Sequence, residues 1–176
     1  STLFPSTTLF RSAHYAVHSP IQAKADLIAK YKARKTTNQK NPVYAAMVES
    51  VDESVGRILA ALEKHHLADD TLVIFTSDNG GYVNQFGGQR VTDNTPLRSG
   101  KGSLYEGGIR VPLVVRWPGV TPKAAVCGEP VVCMDFFRTL TEAAGVPPDS
   151  HGDSGCDGLS LLPVLKDPRA KLDRDA

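Results

Sequence analysis

The sequence has almost no charge excess: 20 Lys and Arg stand against 19 Asp and Glu, a net of +1 over 176 residues. A nucleic-acid binder held by phosphate contacts carries a basic excess or a basic stripe, so this balance excludes that class of partner. No apolar run approaches the roughly 18 to 20 residues that a membrane-spanning helix requires, and no membrane span is expected. Cysteine is scarce. Cys127, Cys133 and Cys156 are odd in number and include no C-x-x-C spacing, which indicates neither a disulfide framework nor a zinc knuckle. What is left is 41% hydrophobic and 22% charged residues, a mixture suited to a soluble globular chain. The length fits one domain with a sizeable core, or a piece of something larger.

The first residue is Ser rather than Met, so an incomplete reading frame is expected. Residues 1–12 form a near-repeat of two hexads, STLFPS and TTLFRS. The segment looks like a translated sequencing-adaptor read and is set aside from fold reasoning as a non-native piece. A short strand and turn is the other reading. It lacks the basic start and long apolar stretch of a secretory signal. No internal repeat follows it.

From Ala13 the punctuation is legible. Ala13 to Val17 reads as the end of a strand, and His18-Ser19-Pro20 as a turn, because the residue before Pro is pushed out of the α region. Ala23 to Lys32 reads as a short helix, and the polar stretch Ala33 to Lys40 as a solvated connection. Asn41-Pro42 opens a helix, with Asn as N-cap and Pro at the first helical position. Val43, Met47, Val51, Val55, Ile58 and Leu62 then recur every three or four residues, one face of an amphipathic helix running to about His65. His65 and His66 at its end suit the helix dipole; a metal role is the alternative.

Thr71 to Thr76 (TLVIFT) is apolar and β-branched and predicts a buried strand of a parallel sheet. Gly80 to Gly108 is rich in loop residues, with eight glycines and one proline. Val111 to Trp117 predicts a second strand, stopped by Pro118-Gly119. Asp135 is expected to cap a helix through about Ala144, closed by Gly145 and two prolines, and Leu159 to Leu165 is a short apolar segment. The expected fold class is α/β, a mostly parallel sheet flanked by helices, with no linker long enough to divide it.

Three features carry chemistry. Ser77-Asp78-Asn79-Gly80-Gly81 follows the predicted strand, at the carboxyl end where open sheets build ligand sites. A carboxylate beside an amide carbonyl offers two hard oxygen ligands, suited to calcium or magnesium rather than zinc. A plain Asp-Asn-Gly turn is the alternative. Farther along, Lys101 sits between Gly100 and Gly102, a mobile cation on a permissive backbone, as an anion-binding loop needs. It is not a P-loop, because the Walker spacing is not met. A solvated surface loop is the alternative there, and Arg98 and Arg110 fit structural ion pairs as well as ligand roles. His18, at the end of the first predicted strand, can donate a proton or hydrogen bond to a departing oxygen.

Between about Ala13 and Leu165 the chain resembles the C-terminal half of the catalytic domain of type I sulfatases, in the alkaline phosphatase superfamily. The stretches that carry the resemblance are AVHSPIQA, NPVYAAMVESVDESVGRIL, TLVIFTSDNGG, TPLRSGKGSLYEGGIRVPLVVRWPG and DGLSLLPVL. The nearest flavour is the arylsulfatase A-like group with N-acetylgalactosamine-6-sulfatase-like enzymes. The resemblance implies that Asp78 and Asn79 give two ligands to a calcium ion. It implies also that Lys101 contacts a sulfate oxygen, and that His18 faces the bridging ester oxygen as an acid. Arg98 receives no catalytic role.

The family's nucleophile is a formylglycine made from Cys in C-x-[PA]-x-R. Here the contexts are Cys127-Gly128-Glu129-Pro130-Val131, Cys133-Met134-Asp135-Phe136-Phe137 and Cys156-Asp157-Gly158-Leu159-Ser160, none with Arg at the fifth position. The family places that nucleophile, two further Asp ligands and a following Lys and His before AVHSP. The expectation is therefore a partial catalytic domain over residues 13–166, with residues 167–176 a linker toward a C-terminal subdomain. The parent is expected to hydrolyse sulfate esters of a small molecule or glycan, in the periplasm or outside the cell, while the chain alone is inactive. A phosphodiester or phosphonate hydrolase of the same superfamily, and a non-catalytic calcium- or anion-binding relative, are the alternatives.

Overall fold

The computed structural model describes residues 8–35, 39–146 and 156–174. Most of the adaptor-like segment, the middle of the Ala33 to Lys40 connection and the two prolines after Val146 lie outside the described residues. The chain divides into two compact units, one of residues 11–114 and one built on the chain from Val115 onward.

The first unit opens with helix α1 (Ala25–Ala33) and helix α2 (Pro42–Lys64), which pack on each other. α2 starts where its sequence says it must. Asn41 Oδ1 accepts from the N–H groups of Val43 (3.1 Å) and Tyr44 (3.2 Å), two donors that the first turn leaves without helical partners. Along α2 the apolar stripe faces inward, with Met47 buried and Val51, Val55, Ile58 and Leu62 half-buried, while Glu53 and Arg57 face solvent. Lys30 of α1 pairs with Glu49 of α2. Glu49 is thereby held below the usual carboxylate range, mainly by the Lys30 hydrogen bond and then by that of Tyr31.

Strand β1 (Val73–Thr76) follows, two residues shorter than its apolar run predicts. The Thr71 hydroxyl donates to the Leu67 carbonyl at 2.6 Å and closes the turn after α2, which takes Thr71 out of the extended segment. β1 is not the buried strand expected of it. Val73 and Ile74 are half-buried and Phe75 is 40% exposed, because the only strand hydrogen-bonded to β1 among the described residues is β4 (Leu113–Arg116). A strand with one neighbour keeps a bare edge, and no broad parallel sheet forms among the described residues. β4 is trimmed by local chemistry. Pro112 has no N–H to give a ladder, and the Trp117 N–H donates to Thr121 Oγ1 at 2.9 Å.

The glycine-rich span holds more order than its composition suggests. Strands β2 (Gln85–Phe86) and β3 (Gln89–Arg90) pair antiparallel across Gly87-Gly88, whose φ values of 60° and 78° suit the twist of a two-residue hairpin. A single helical turn, α3 (Glu106–Ile109), precedes β4. Ala13 to Val17 is not a strand. It is a turn in which the His18 N–H donates to the Tyr15 carbonyl at 3.0 Å.

In the second unit, helix α4 (Asp135–Ala143) starts with Met134 at the N-cap rather than Asp135. The Asp135 carboxylate points inward instead. It is fully buried and accepts from the Val132 N–H (2.9 Å), the Leu159 N–H (2.9 Å) and Arg174 (2.7 Å). Helix α5 (Leu162–Lys166) occupies the second half of the Leu159 to Leu165 segment, behind the fully buried Leu161.

Candidate active site

A cleft of about 880 Å³ opens in the first unit, and its walls include His18, Asp78, Asn79 and Lys101 together. The sequence placed these side chains at three separate points of the chain; the fold brings them to one concavity. His18 reaches it from a turn rather than a strand end, which corrects the route by which it was expected to arrive.

His18 is held by its neighbour. Its Nδ1 lies 2.8 Å from the Ser19 carbonyl oxygen, and a carbonyl only accepts, so Nδ1 carries the proton. That fixes the tautomer and leaves Nε2 as the nitrogen available to a ligand. The same carbonyl accepts the Tyr15 hydroxyl at 2.7 Å, and the Tyr15 and His18 rings lie 5.6 Å apart.

Asp78 and Asn79 sit just beyond β1. Ser77 Oγ donates to the Asn79 carbonyl at 2.9 Å and folds the segment back on itself, and Asn79 Nδ2 donates to Asp78 Oδ1 at 2.6 Å. The plain turn is therefore present, and it faces the cleft. Asp78 Oδ2 and Asn79 Oδ1 take no part in these two hydrogen bonds. Among the described residues no group of three or more His, Cys, Asp or Glu side chains could hold a metal ion. The two oxygens are the hard donors that calcium takes, but calcium takes roughly six to eight. The pair fits in kind and supplies part of a cage.

Lys101 is carried to the cleft by backbone. Its N–H donates to the Gly81 carbonyl at 3.0 Å, and the Gly80 N–H donates to the Gly108 carbonyl at 2.8 Å. The loop after β1, the Lys101 loop and α3 thus lie against each other main chain to main chain. A Cβ at Gly80 would overlap the Gly107 carbonyl, and one at Gly107 would overlap the Ser99 carbonyl, so glycine is required for this approach.

The two arginines separate. Arg98 stacks over the Tyr105 ring at 3.7 Å and is not part of the cleft wall, whereas Arg110 lines the cleft and pairs with Glu106 at 3.3 Å. Sequence reasoning missed Tyr44, Asp93 and Asn94, which also line the cleft. Burial pushes the Tyr44 phenol up. The Thr95 hydroxyl, then the Thr95 N–H, hold the Asp93 carboxyl below its ordinary value. Asp93 and Asn94 stand in a D-N-T-P run, a turn signal by composition, but nothing local in it reveals a place in a cleft wall.

Comparison with known proteins agrees with the resemblance of the motifs. The sequence profile described as Sulfatase matches residues 10–146. A sulfatase of Formosa agariphila is 42% identical over 164 residues, which is 87% of this chain and 29% of that protein. The crystal structure of Ps i-CgsB in complex with k-i-k-neocarrahexaose superposes with a TM-score of 0.74 at 33% identity, covering 92% of this chain and 35% of that one. A second structure, BT4656 in complex with its substrate D-glucosamine-2-N,6-O-disulfate, gives a TM-score of 0.57 at 29% identity over 86% of this chain and 29% of that one. The chain spans about a third or less of the length of these relatives.

Proposed function

The chain belongs to the sulfatase family, and from that premise we propose that its cleft is the calcium- and sulfate-binding part of an active site that hydrolyses sulfate esters. The observation that carries the reading is that His18, Asp78, Asn79 and Lys101 line the same cleft. A small-molecule or glycan sulfate is the substrate class, supported by the sulfated glucosamine that one structural relative takes. An exported parent, periplasmic or secreted, goes with that reading.

The chemistry required is displacement at sulfur: an attacking oxygen, in net terms that of water, forms a new S–O bond as the S–O bond to the alcohol breaks, the departing oxygen takes a proton, and sulfate leaves with the added oxygen. Lys101 holds a sulfate oxygen through a charge-assisted hydrogen bond, worth more when water is excluded. His18 in its doubly protonated form supplies the proton from Nε2, while the Ser19 carbonyl accepts from Nδ1–H and holds the ring in place. Asp78 and Asn79 would hold a calcium ion, which would supply Lewis-acid charge at the sulfate. No cysteine here has the C-x-[PA]-x-R context, so we assign the nucleophile to no residue of this chain and expect formylglycine from a preceding segment of the parent. Residues 13–166 then act as a partial catalytic domain, inactive alone.

The test is a titration of the chain with inorganic sulfate at saturating calcium, read by NMR at the His18 ring and the Lys101 ε-methylene. Shifts at both positions are expected in the unsubstituted chain, and in Lys101→Ala the His18 shift should need about tenfold or more sulfate to appear. Saturable sulfate binding that ignores Lys101→Ala overturns the assignment of the cleft.

A further inference from the structure

We propose that Asn94 is the positioning residue of this cleft, a clamp whose one amide group sets the distance between the metal-ligand loop and the lysine loop. The inference rests on the cleft being the sulfate site and deepens that reading.

Asn94 Nδ2 lies within hydrogen-bond reach of three carbonyls: Gly81 at 3.1 Å, Ser99 at 3.1 Å and Gly107 at 3.0 Å. Each belongs to a different segment: Gly81 and Gly107 line the cleft, and Ser99 lies in the loop that leads to Lys101. Gly81 follows Asp78 and Asn79, Ser99 precedes Lys101, and Gly107 lies in α3, ahead of Arg110. The amide has two protons for three acceptors, so one is shared, and no other side chain in this wall joins three segments among the described residues. The Gly81 carbonyl also accepts the Lys101 N–H, which makes it the hub through which Asn94 and the Lys101 backbone touch the same atom.

A second observation points the same way. Ser99 has φ of 66°, a left-handed conformation that non-glycine residues rarely adopt. That turn aims Lys101, and the Ser99 carbonyl is one of the three that Asn94 holds. Loss of the amide removes a tie at the residue where the loop is most strained. Asn94 touches no substrate atom in this scheme; it acts through Lys101 and Asp78.

Asn94→Leu keeps the branching and approximate volume of the side chain and removes the donors, and Asn94→Ala removes both. In the 176-residue chain, amide hydrogen exchange at Gly80, Lys101 and Gly107 should accelerate at least about tenfold in either variant, while α2 amides keep their rates. Inorganic sulfate affinity, normalised to the fraction folded by α2 protection, should fall at least about fivefold. Uniform acceleration including α2, or failure of both variants to fold, makes Asn94 a general stability residue and overturns the proposal. Local acceleration with unchanged sulfate affinity overturns it too, since the ties would then be structural only. If the unsubstituted chain binds no sulfate, the sulfatase reading of the cleft fails separately, and unchanged exchange at the three amides still refutes the clamp.

Discussion

His18 and Lys101 make unlike demands on their surroundings, and the structure meets each with backbone. A histidine that is to give a proton from Nε2 needs an acceptor on Nδ1, and the Ser19 carbonyl is that acceptor. A lysine that is to meet an anion needs a free head on a fixed base, and the Gly81 carbonyl fixes the base. Removing the head should therefore be separable from unfolding. Lys101→Ala is expected to weaken inorganic sulfate binding by about tenfold or more, the loss of one hydrogen bond to a charged group at about 1.5 to 3 kcal/mol, with an unchanged urea midpoint. Asp135 should behave in the opposite way. Burial by itself raises its pKa, but the Arg174 guanidinium and the N–H groups of Val132 and Leu159 outweigh that and hold the carboxyl below its ordinary value. A lowered carboxyl stabilises the fold above its unfolded pKa of about 3.9, and the contribution is lost as pH falls through the folded value. Asp135→Asn is expected to cost about 3 kcal/mol at neutral pH, because Arg174 loses its charge partner, and to flatten the acid limb of stability against pH. Urea unfolding across pH 3 to 7 checks both.

At the scale of elements, α2 and α3 are held by different means. α2 has length, an apolar stripe and a side-chain cap, so Asn41→Ala should cost about 1 kcal/mol and leave the cleft intact, as measured by the urea midpoint and sulfate titration together. α3 is four residues long and cannot stand by itself. Its place depends on the Gly107 N–H donating to the Arg98 carbonyl at 2.9 Å, at a separation that admits no Cβ. Gly107→Ala must push α3 away from the Lys101 loop. It is expected to cost about 1 to 3 kcal/mol and to abolish sulfate binding in the folded fraction. A variant that binds sulfate normally would mean that the contact is not what shapes the cleft.

At the scale of the whole molecule, the cleft gathers His18, Lys101, Asp78 and Asn79, which the proposed reading takes as acid, anion-binding cation and metal ligands, and no activated nucleophile is assigned among its residues. A lysine and a histidine do not generate an attacking oxygen by themselves. The 176-residue chain should turn over no aryl sulfate and bind calcium only weakly, in the millimolar range of open sites rather than that of a complete cage. A colorimetric aryl sulfate assay and calorimetric titration with calcium test this. Turnover that disappears in Asp78→Ala would place the nucleophile within this chain, and micromolar calcium affinity would show that further carboxylates complete the cage.

The elements legible in the sequence are those with local causes. Asn41-Pro42 fixed the start of α2 because an N-cap and a proline act within one turn, and the stripe from Val43 to Leu62 set its inner face. The motifs around Asp78 and Lys101, with His18, named the family and the candidate site, since a residue's chemistry travels with its identity. Tertiary structure decided the rest. Thr71 left β1 because its hydroxyl found the Leu67 carbonyl, β1 is half exposed because among the described residues one neighbour cannot cover it, and Asp135 turned inward to a partner 39 residues away in Arg174. The place of Asn94 was illegible for the same reason: its three carbonyl partners are backbone atoms, alike at every residue, and only the folded chain determines which of them meet.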